Sequence, residues 1–401
     1  MRIVRAASLA VLVGVVGLAG PAQADPLPSI VDRNYAIDLY DGVALGNSAT
    51  VAMGGASAAN AFGTSGTLVN PSAPAVRRTT DTDSWSWDYH LDYLNASLSK
   101  DYDNNGVISS GSGLAALTLG LGGRWHDWGV AITGSTQNAP IADAMVSIGG
   151  TSYTMSATTS RVKAAIAKWI PQIDTSIGVA ATLGQLSVKG DCTAPGCELF
   201  TIQGAGLEAG ATWIPRRENF RVGAALTSRI IGGNVTAENC DPMNCEGFIL
   251  PDQVVSGWRL VAGGAYRWAP EPWNQLVGGT FRDERSVTVV SDVVITGSAP
   301  HGYGLEAFGQ HELQRSGKNV STSLRGGVEY EWLPGRLRVR AGSYWEPGRF
   351  EDVGGRLHAT FGIEVRVLEF ELWGRRRGRI TLTGDVAERY QNEGISIGFW
   401  H

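Results

Sequence analysis

After residue 24 the sequence has no apolar run approaching the ~20 residues that a membrane-spanning helix needs, which excludes a helical span there. It also lacks any excess of positive charge. The 33 Lys and Arg stand against 38 Asp and Glu, a formal charge of −5, so no nucleic-acid partner is expected. Histidine is scarce, confined to His90, His126, His301, His311, His358 and His401. None lies in a Gly-x-Ser-x-Gly setting or a His-Glu-x-x-His helix, so no catalytic residue is assigned and no cofactor is called for. Cysteine is limited to two Cys-x4-Cys pairs, Cys192/Cys197 and Cys240/Cys245. That spacing and the absence of nearby histidines argue against a metal site. In an exported chain, an even count in Gly/Pro/Asn-rich loops reads as disulfides. Of the three possible connectivities, the two local loops are the simplest.

Export is written at the N-terminus. Arg2 and Arg5 precede the apolar run Ala6 to Ala19, and Ala22-Gln23-Ala24 is a small-x-small cleavage site, so residues 1–24 read as a secretory signal. A retained anchor is the alternative, and the short run with Pro21 weighs against it. Beyond the signal, 53 glycines and 13 tryptophans stand out. Gly allows close strand packing and Trp anchors at membrane interfaces.

The last residues, Ile395-Ser396-Ile397-Gly398-Phe399-Trp400-His401, alternate apolar with small or polar and end in aromatics. A strand in lipid hides its amides in a ladder and shows lipid an apolar face, so it reads out and in by turns. From Trp85 onward that grammar repeats. Trp125-His126-Asp127-Trp128, Trp169-Ile170-Pro171, Trp213-Ile214-Pro215, Trp268-Ala269-Pro270 and Trp332-Leu333-Pro334 each separate two alternating runs. Pro marks the turn and Trp sets a ring at headgroup level, on what reads as the periplasmic rim. Hairpin ends of a soluble sandwich are the plainer reading, which the export signal disfavours. Longer polar segments at 101–112, 137–150, 190–196, 233–252 and 347–355 read as outer loops, and both cysteine pairs fall among them.

The expected fold is therefore all-β, a transmembrane antiparallel barrel. Strands are expected near 84–99, 113–125, 127–138, 152–169, 173–189, 198–213, 219–232 and 253–268, then within 280–311, and near 320–332, 336–346, 356–368, 370–386 and 394–400. That makes fourteen, with 270–319 holding one long strand or three short ones. Period-two faces direct Arg259, Arg267, Glu329, Glu331, Arg338, Arg340, Glu364 and Arg366 into the lumen. Opposite charges there brace the wall, while a remaining arginine such as Arg259 or Arg366 suits a carboxylate headgroup. Phe248-Ile249-Leu250 reads as the start of the next strand, or as an outer patch that captures greasy molecules. The domain reading is a signal at 1–24, an N-terminal plug at 25–80 and the barrel at 81–401. The plug begins with a polar lead, Asp25 to Tyr40.

Residues 42–74, rich in Gly, Ala, Ser and Thr and reaching Leu68-Val69-Asn70-Pro71-Ser72, resemble the N-terminal hatch of FadL-type transporters of long-chain fatty acids and hydrocarbons. Ile249-Leu250-Pro251-Asp252-Gln253-Val254 and Leu337-Arg338-Val339-Arg340-Ala341-Gly342-Ser343-Tyr344-Trp345-Glu346-Pro347 are similar to segments of that family in order and spacing. The motif here carries Ser72 where the family has Ala, and neutral Asn60 to Ser65 replaces a short acidic stretch. The resemblance implies a fourteen-stranded outer-membrane barrel plugged by short helices and turns. A hydrophobic small molecule would pass by diffusion, with outer-membrane lipid as the surroundings and a monomer as the working unit. Asn70-Pro71 makes a stiff turn suited to holding such a plug closed, or an ordinary turn after a helix. A structural or secretion-associated platform and a general porin are the alternative functions.

Overall fold

The computed structural model describes residues 26–39, 46–77, 84–108, 113–192, 197–233, 235, 237, 240–278 and 281–400, and the expected signal at 1–24 lies outside them. The first six strands are Trp85–Asn95 (β1), Ala115–Trp125 (β2), Trp128–Ile148 (β3), Thr151–Ile170 (β4), Thr175–Gly190 (β5) and Glu198–Trp213 (β6). Two strands are interrupted: β7 is Phe220–Thr227 with Ile230–Gly232, and β8 is Gln253–Ser256 with Arg259–Trp268. The rest are Val287–Thr296 (β9), Ser321–Leu333 (β10), Leu337–Glu346 (β11), Arg356–Glu371 (β12), Arg375–Ala387 (β13) and Tyr390–Phe399 (β14). Each pairs antiparallel with the next. β14 returns to β1, with Gly398 opposite His90 and Glu393 opposite Asn95, so the sheet closes as a fourteen-strand barrel.

Alternation sets the two faces. On β2, Leu117, Leu119 and Leu121 are exposed on the outside, while Ala116 and Thr118, in the alternate phase, are buried inside. Trp125, Trp128, Trp213, Trp268 and Trp332 are exposed near one rim. Trp169 departs from this ring. Pro171 follows the end of β4 at Ile170, which leaves Trp169 in phase with the buried Ala165 and Ala167, lining the mouth of the barrel.

The rim with these tryptophans carries the short connections 126–127, 171–174, 214–219, 334–336 and 372–374. One exception is long: the described residues of 269–286 also lie there, β9 is the one spanning strand among the described residues between 270 and 319, and 297–320 crosses the other rim. The expected loop at 137–150 is instead strand. β3 and β4 stay paired to Ile148 and Thr151, past a bulge between Ile141 and Met145, and turn at Gly149-Gly150. Both glycines have positive φ, +60° and +82°, which the tight turn requires. Polarity reports where lipid ends, and a ladder continues beyond it.

The loop rim is closed by the chain's own start. Ala36–Asp38 pairs in parallel with the beginning of β8 and with Gly302–Tyr303. Tyr35, Ile37, Phe200, Phe248, Leu250 and Phe308 form an apolar core beneath the loops. Phe248-Ile249-Leu250 is thus neither a strand start nor an outer patch. Phe248 and Leu250 are buried in that core, and the Ile249 carbonyl accepts from the Tyr35 hydroxyl at 2.5 Å. Burial pushes the Tyr35 phenol well above its ordinary value, which keeps it a donor. The polar lead is therefore a cap, held also by the buried Asp38–Arg349 pair at 2.9 Å. Disulfides Cys192–Cys197 and Cys240–Cys245 tie off local turns on the same rim.

Leu119 lies midway along the lipid face, so Leu119→Arg is expected to cost about 2–4 kcal/mol. Reversible urea unfolding in lipid vesicles measures it, and a cost near zero would contradict the assigned faces.

Candidate functional site

Residues 46–77 fill the barrel at mid-height. Small side chains without a sustained period give only short helices, Ser48–Val51 and Gly63–Thr67, and a 3-10 turn at Ala73–Ala75. So many turns leave backbone N–H groups that need partners in a dry interior. The wall supplies carboxylates. Asp92 accepts from the Ser48 N–H at 2.9 Å, and Asp88 from the Thr64 N–H at 2.9 Å. Across the lumen, Asp292 accepts from Ser57 and Ala58 at 2.8 and 2.9 Å.

Asn70 is fully buried and works in both directions. Its amide nitrogen donates to the Ala58 carbonyl at 3.1 Å, and to the Ala211 carbonyl and Thr212 hydroxyl of β6 at 3.2 Å. Its oxygen accepts from the Ser72 N–H and hydroxyl at 3.1 and 2.8 Å. Ser176 on β5 donates to the Ser72 carbonyl at 2.7 Å. Ser72, where the hatch pattern has Ala, therefore adds contacts of its own. Lys163 on β4 donates to the carbonyls of Thr67 and Leu68 and pairs with Glu208 at 2.8 Å. Val69 packs against Ala58, Ala225, Val261 and Val294.

The seat is made of wall glycines. A Cβ at Gly178 would stand 2.1 Å from the Pro71 carbonyl oxygen, at Gly210 2.3 Å from the Asn70 side chain, and at Gly223 2.0 Å from the Ala58 oxygen. Opposite, Gly342 would meet the Gly54 nitrogen at 2.3 Å. Plug backbone thus lies directly on bare strand backbone on both sides of the barrel.

Cavities remain above and below the plug. The upper one, about 160 Å³, is lined by Leu68 and Val69 of the plug and by Arg161, Lys163, Arg259, Arg325 and Arg349, with Glu208. The lower one, about 210 Å³, opens toward the short-turn rim. Its wall is a lattice of paired charge. Arg338 meets Glu331 at 3.1 Å and Glu364 at 3.3 Å, Arg340 meets Glu329 at 2.6 Å and Glu364 at 3.1 Å, and Arg379 meets Glu364 at 3.3 Å. Arg259 thus lines the upper cavity, while Arg338 and Arg340 belong to the lattice. Arg366 sits apart near the short-turn rim, 3.8 Å from Glu369, because a bulge between it and Leu368 ends the regular alternation there.

No family model matches the chain, and no curated protein does. Solved structures do. The Pseudomonas putida toluene transporter TodX aligns at TM-score 0.53 and 12% identity over 92% of this chain and 99% of its own. The Ralstonia pickettii toluene transporter TbuX aligns at 0.51 and 12% over 88% and 97%. A Pseudomonas aeruginosa FadL homologue aligns at 0.49 and 12% over 88% and 97%. The fold is that of the FadL-type channels. With its apolar exterior and fourteen strands, the chain is a multi-pass outer-membrane barrel. At this identity the likeness concerns architecture.

Sequence reasoning missed the wall carboxylates. Asp88 and Asp92 alternate with outward Tyr89, Leu91 and Tyr93, a period-two signal that was there to find. The glycine seat had no such signal, because its partners lie over a hundred residues away.

On the loop rim, Asp101 accepts from the Asn105 and Gly106 N–H groups at 3.0 and 3.1 Å, and Asn105 donates to Glu306. Burial raises Asp101 above the usual carboxylate range against the pull of Arg356. Burial, then Glu306 and Asp101, raises Asp103 further. An acid with a raised folded pKa stabilises most when protonated. Protection of residues 96–108 is expected to fall as pH rises from about 4 through the raised values. Hydrogen exchange corrected for intrinsic rate reads this, and protection that increased with pH would oppose it.

Asn70→Ala removes donors and acceptors from a dry seat, at about 1–3 kcal/mol for each group left unpaired. Planar-bilayer recordings should show bursts of conductance that the parent lacks, and Gly178→Leu should give larger ones. A silent Gly178→Leu barrel would mean that the plug is not held by this seat.

Proposed function

We propose that this barrel carries hydrophobic small molecules inward across the outer membrane by diffusion, without ATP or cofactor. The observation that carries the reading is a plug lying between two cavities, joined to the wall by contacts that can open one at a time. Toluene transporters of the same fold are consistent with it. A ligand entering the upper cavity meets Leu68 and Val69 of the plug beside a cation-rich wall. Long-chain fatty acids fit that combination, with the carboxylate near Arg259 and the chain against the plug. Arg338 and Arg340, already shared among glutamates, brace the lumen. Asn70-Pro71 is the latch, and its release joins the two cavities.

Lipid mass spectrometry on barrel purified in fatty-acid-free detergent tests this, together with uptake of radiolabelled oleate and toluene by cells expressing it. Retained fatty acid, with oleate uptake lowered several-fold by Arg259→Gln, supports the fatty-acid reading. Toluene uptake without oleate uptake would move the substrate to neutral hydrocarbons. A steady ion conductance with no uptake of either would overturn the transport reading in favour of a porin.

A further inference from the structure

Several arginines of the lower mouth are paired with carboxylates. Arg267 and Arg282 reach Glu284 at 3.7 and 2.6 Å, and Arg377 reaches Glu369 at 3.0 Å. Arg221 on β7 is only 6% exposed, yet its partners are neutral. Its Nε donates to the Asn274 side-chain oxygen at 2.8 Å, and its guanidinium carbon lies 3.9 Å from the Trp273 ring centre. Asn274 is fixed in turn by donating to the Pro215 and Phe220 carbonyls, both at 2.9 Å. Among the described residues no carboxylate is within ion-pair distance of Arg221. A buried cation left in this way is costly unless an anion comes to it.

Arg221 also stands where two cavities meet. It lines the 210 Å³ cavity beneath the plug and a second cavity of about 300 Å³ at the short-turn rim. The second is walled by Trp169, Pro171, Ile214 and Leu276, with Arg77 beside Asp127, Arg216 and Asn274 completing its lining. Ile214 is 8% exposed and Trp169 is the one turn tryptophan that faces inward, so an apolar recess opens in a mouth otherwise lined by charge. A mostly apolar recess of this size with a few polar groups at its edge is the ordinary form of a small-ligand site. The planar fork of arginine suits a carboxylate.

From this we infer a second ligand site, on the periplasmic side of the plug, for a medium-chain amphipathic carboxylate: headgroup on Arg221, chain along Trp169, Ile214 and Leu276. It rests on the transport reading and deepens it. A released ligand has a station below the plug before it leaves, and the site favours acids over neutral hydrocarbons.

The test uses the full-length barrel in fatty-acid-free detergent and decanoate bearing a terminal diazirine, with its methyl ester as the uncharged control. After illumination, adducts are mapped by peptide mass spectrometry. The expected result is labelling within 169–171, 214–216 and 274–276, reaching half-saturation at a concentration at least about tenfold lower for the acid than for the ester. Arg221→Gln should erase that difference and Arg221→Lys should keep part of it, with folding checked by heat-modifiable gel mobility. If Arg221→Gln fails to fold, Leu276→Glu, on an exposed side chain, should suppress acid labelling more than ester labelling. Equal labelling by acid and ester overturns the inference, as does labelling confined to the upper cavity or a co-purifying phospholipid that decanoate does not displace. If decanoate uptake by cells persists in those cases, the transport reading stands alone. Absence of both labelling and uptake removes both.

Discussion

No backbone amide of this chain can go unpaired, either in lipid or in the dry interior, and the architecture follows from that constraint. Outside, the ladder between β14 and β1 closes the sheet and leaves no edge. Inside, the same need appears at the plug, whose short helices and turns cannot satisfy their own N–H groups. Asp88, Asp92 and Asp292 do so from the wall, and Asn70 does so from within the plug by accepting from the Ser72 N–H. These bonds run between side chain and backbone across a bare seam. They can break separately, which a continuous ladder cannot. A plug built into the sheet would be permanent, whereas one hung from side chains can move.

The glycine seat explains why the plug fits closely despite its lack of large side chains. Where Pro71 and Ala58 touch Gly178 and Gly223, main chain lies on main chain, so dispersion contact comes from backbone atoms. This also accounts for the small-residue composition of residues 46–77. Bulky side chains would lift the plug off the wall and separate the aspartates from the N–H groups they cap. Composition and hydrogen bonding therefore select the same arrangement.

How much of this was legible in the sequence depends on the distance over which each feature acts. The faces of β10 to β12 were legible because Glu329, Arg338 and Glu364 each sit in a local alternation. The outer extension of β3 and β4 was not, since Gln137 and Asn138 are polar for lying beyond lipid and still pair with Thr159 and Thr158. Trp169 was misread because the turn motif fixes where a strand ends and leaves open which face its last residues show. Phe248 and Leu250 looked like a strand or a patch because their actual neighbours, Tyr35 and Phe308, lie far away in the chain. Alternation is a local code, and the plug seat and the cap are written in long-range contacts.

The distribution of charge bears on how a greasy molecule crosses a lumen lined by ionic groups. In the lower cavity Glu329, Glu331 and Glu364 are shared among Arg338, Arg340 and Arg379. Such a lattice presents little net field to a passing solute, and at these distances each group is held rigidly by its neighbours. Above the plug Arg161, Lys163, Arg259, Arg325 and Arg349 line the cavity, with Lys163 held by Glu208 and Arg349 by Asp38, and below it Arg221 is held by the neutral Asn274. An uncharged hydrocarbon gains nothing from that pattern. On the proposed reading, an amphipathic acid would find a cation on each side of the plug, with apolar surface beside both, at Leu68 and Val69 above and at Trp169 and Ile214 below. Moving between them would exchange one headgroup contact for another, so the plug would both offer the chain Leu68 and Val69 on its upper face and open the path beneath them.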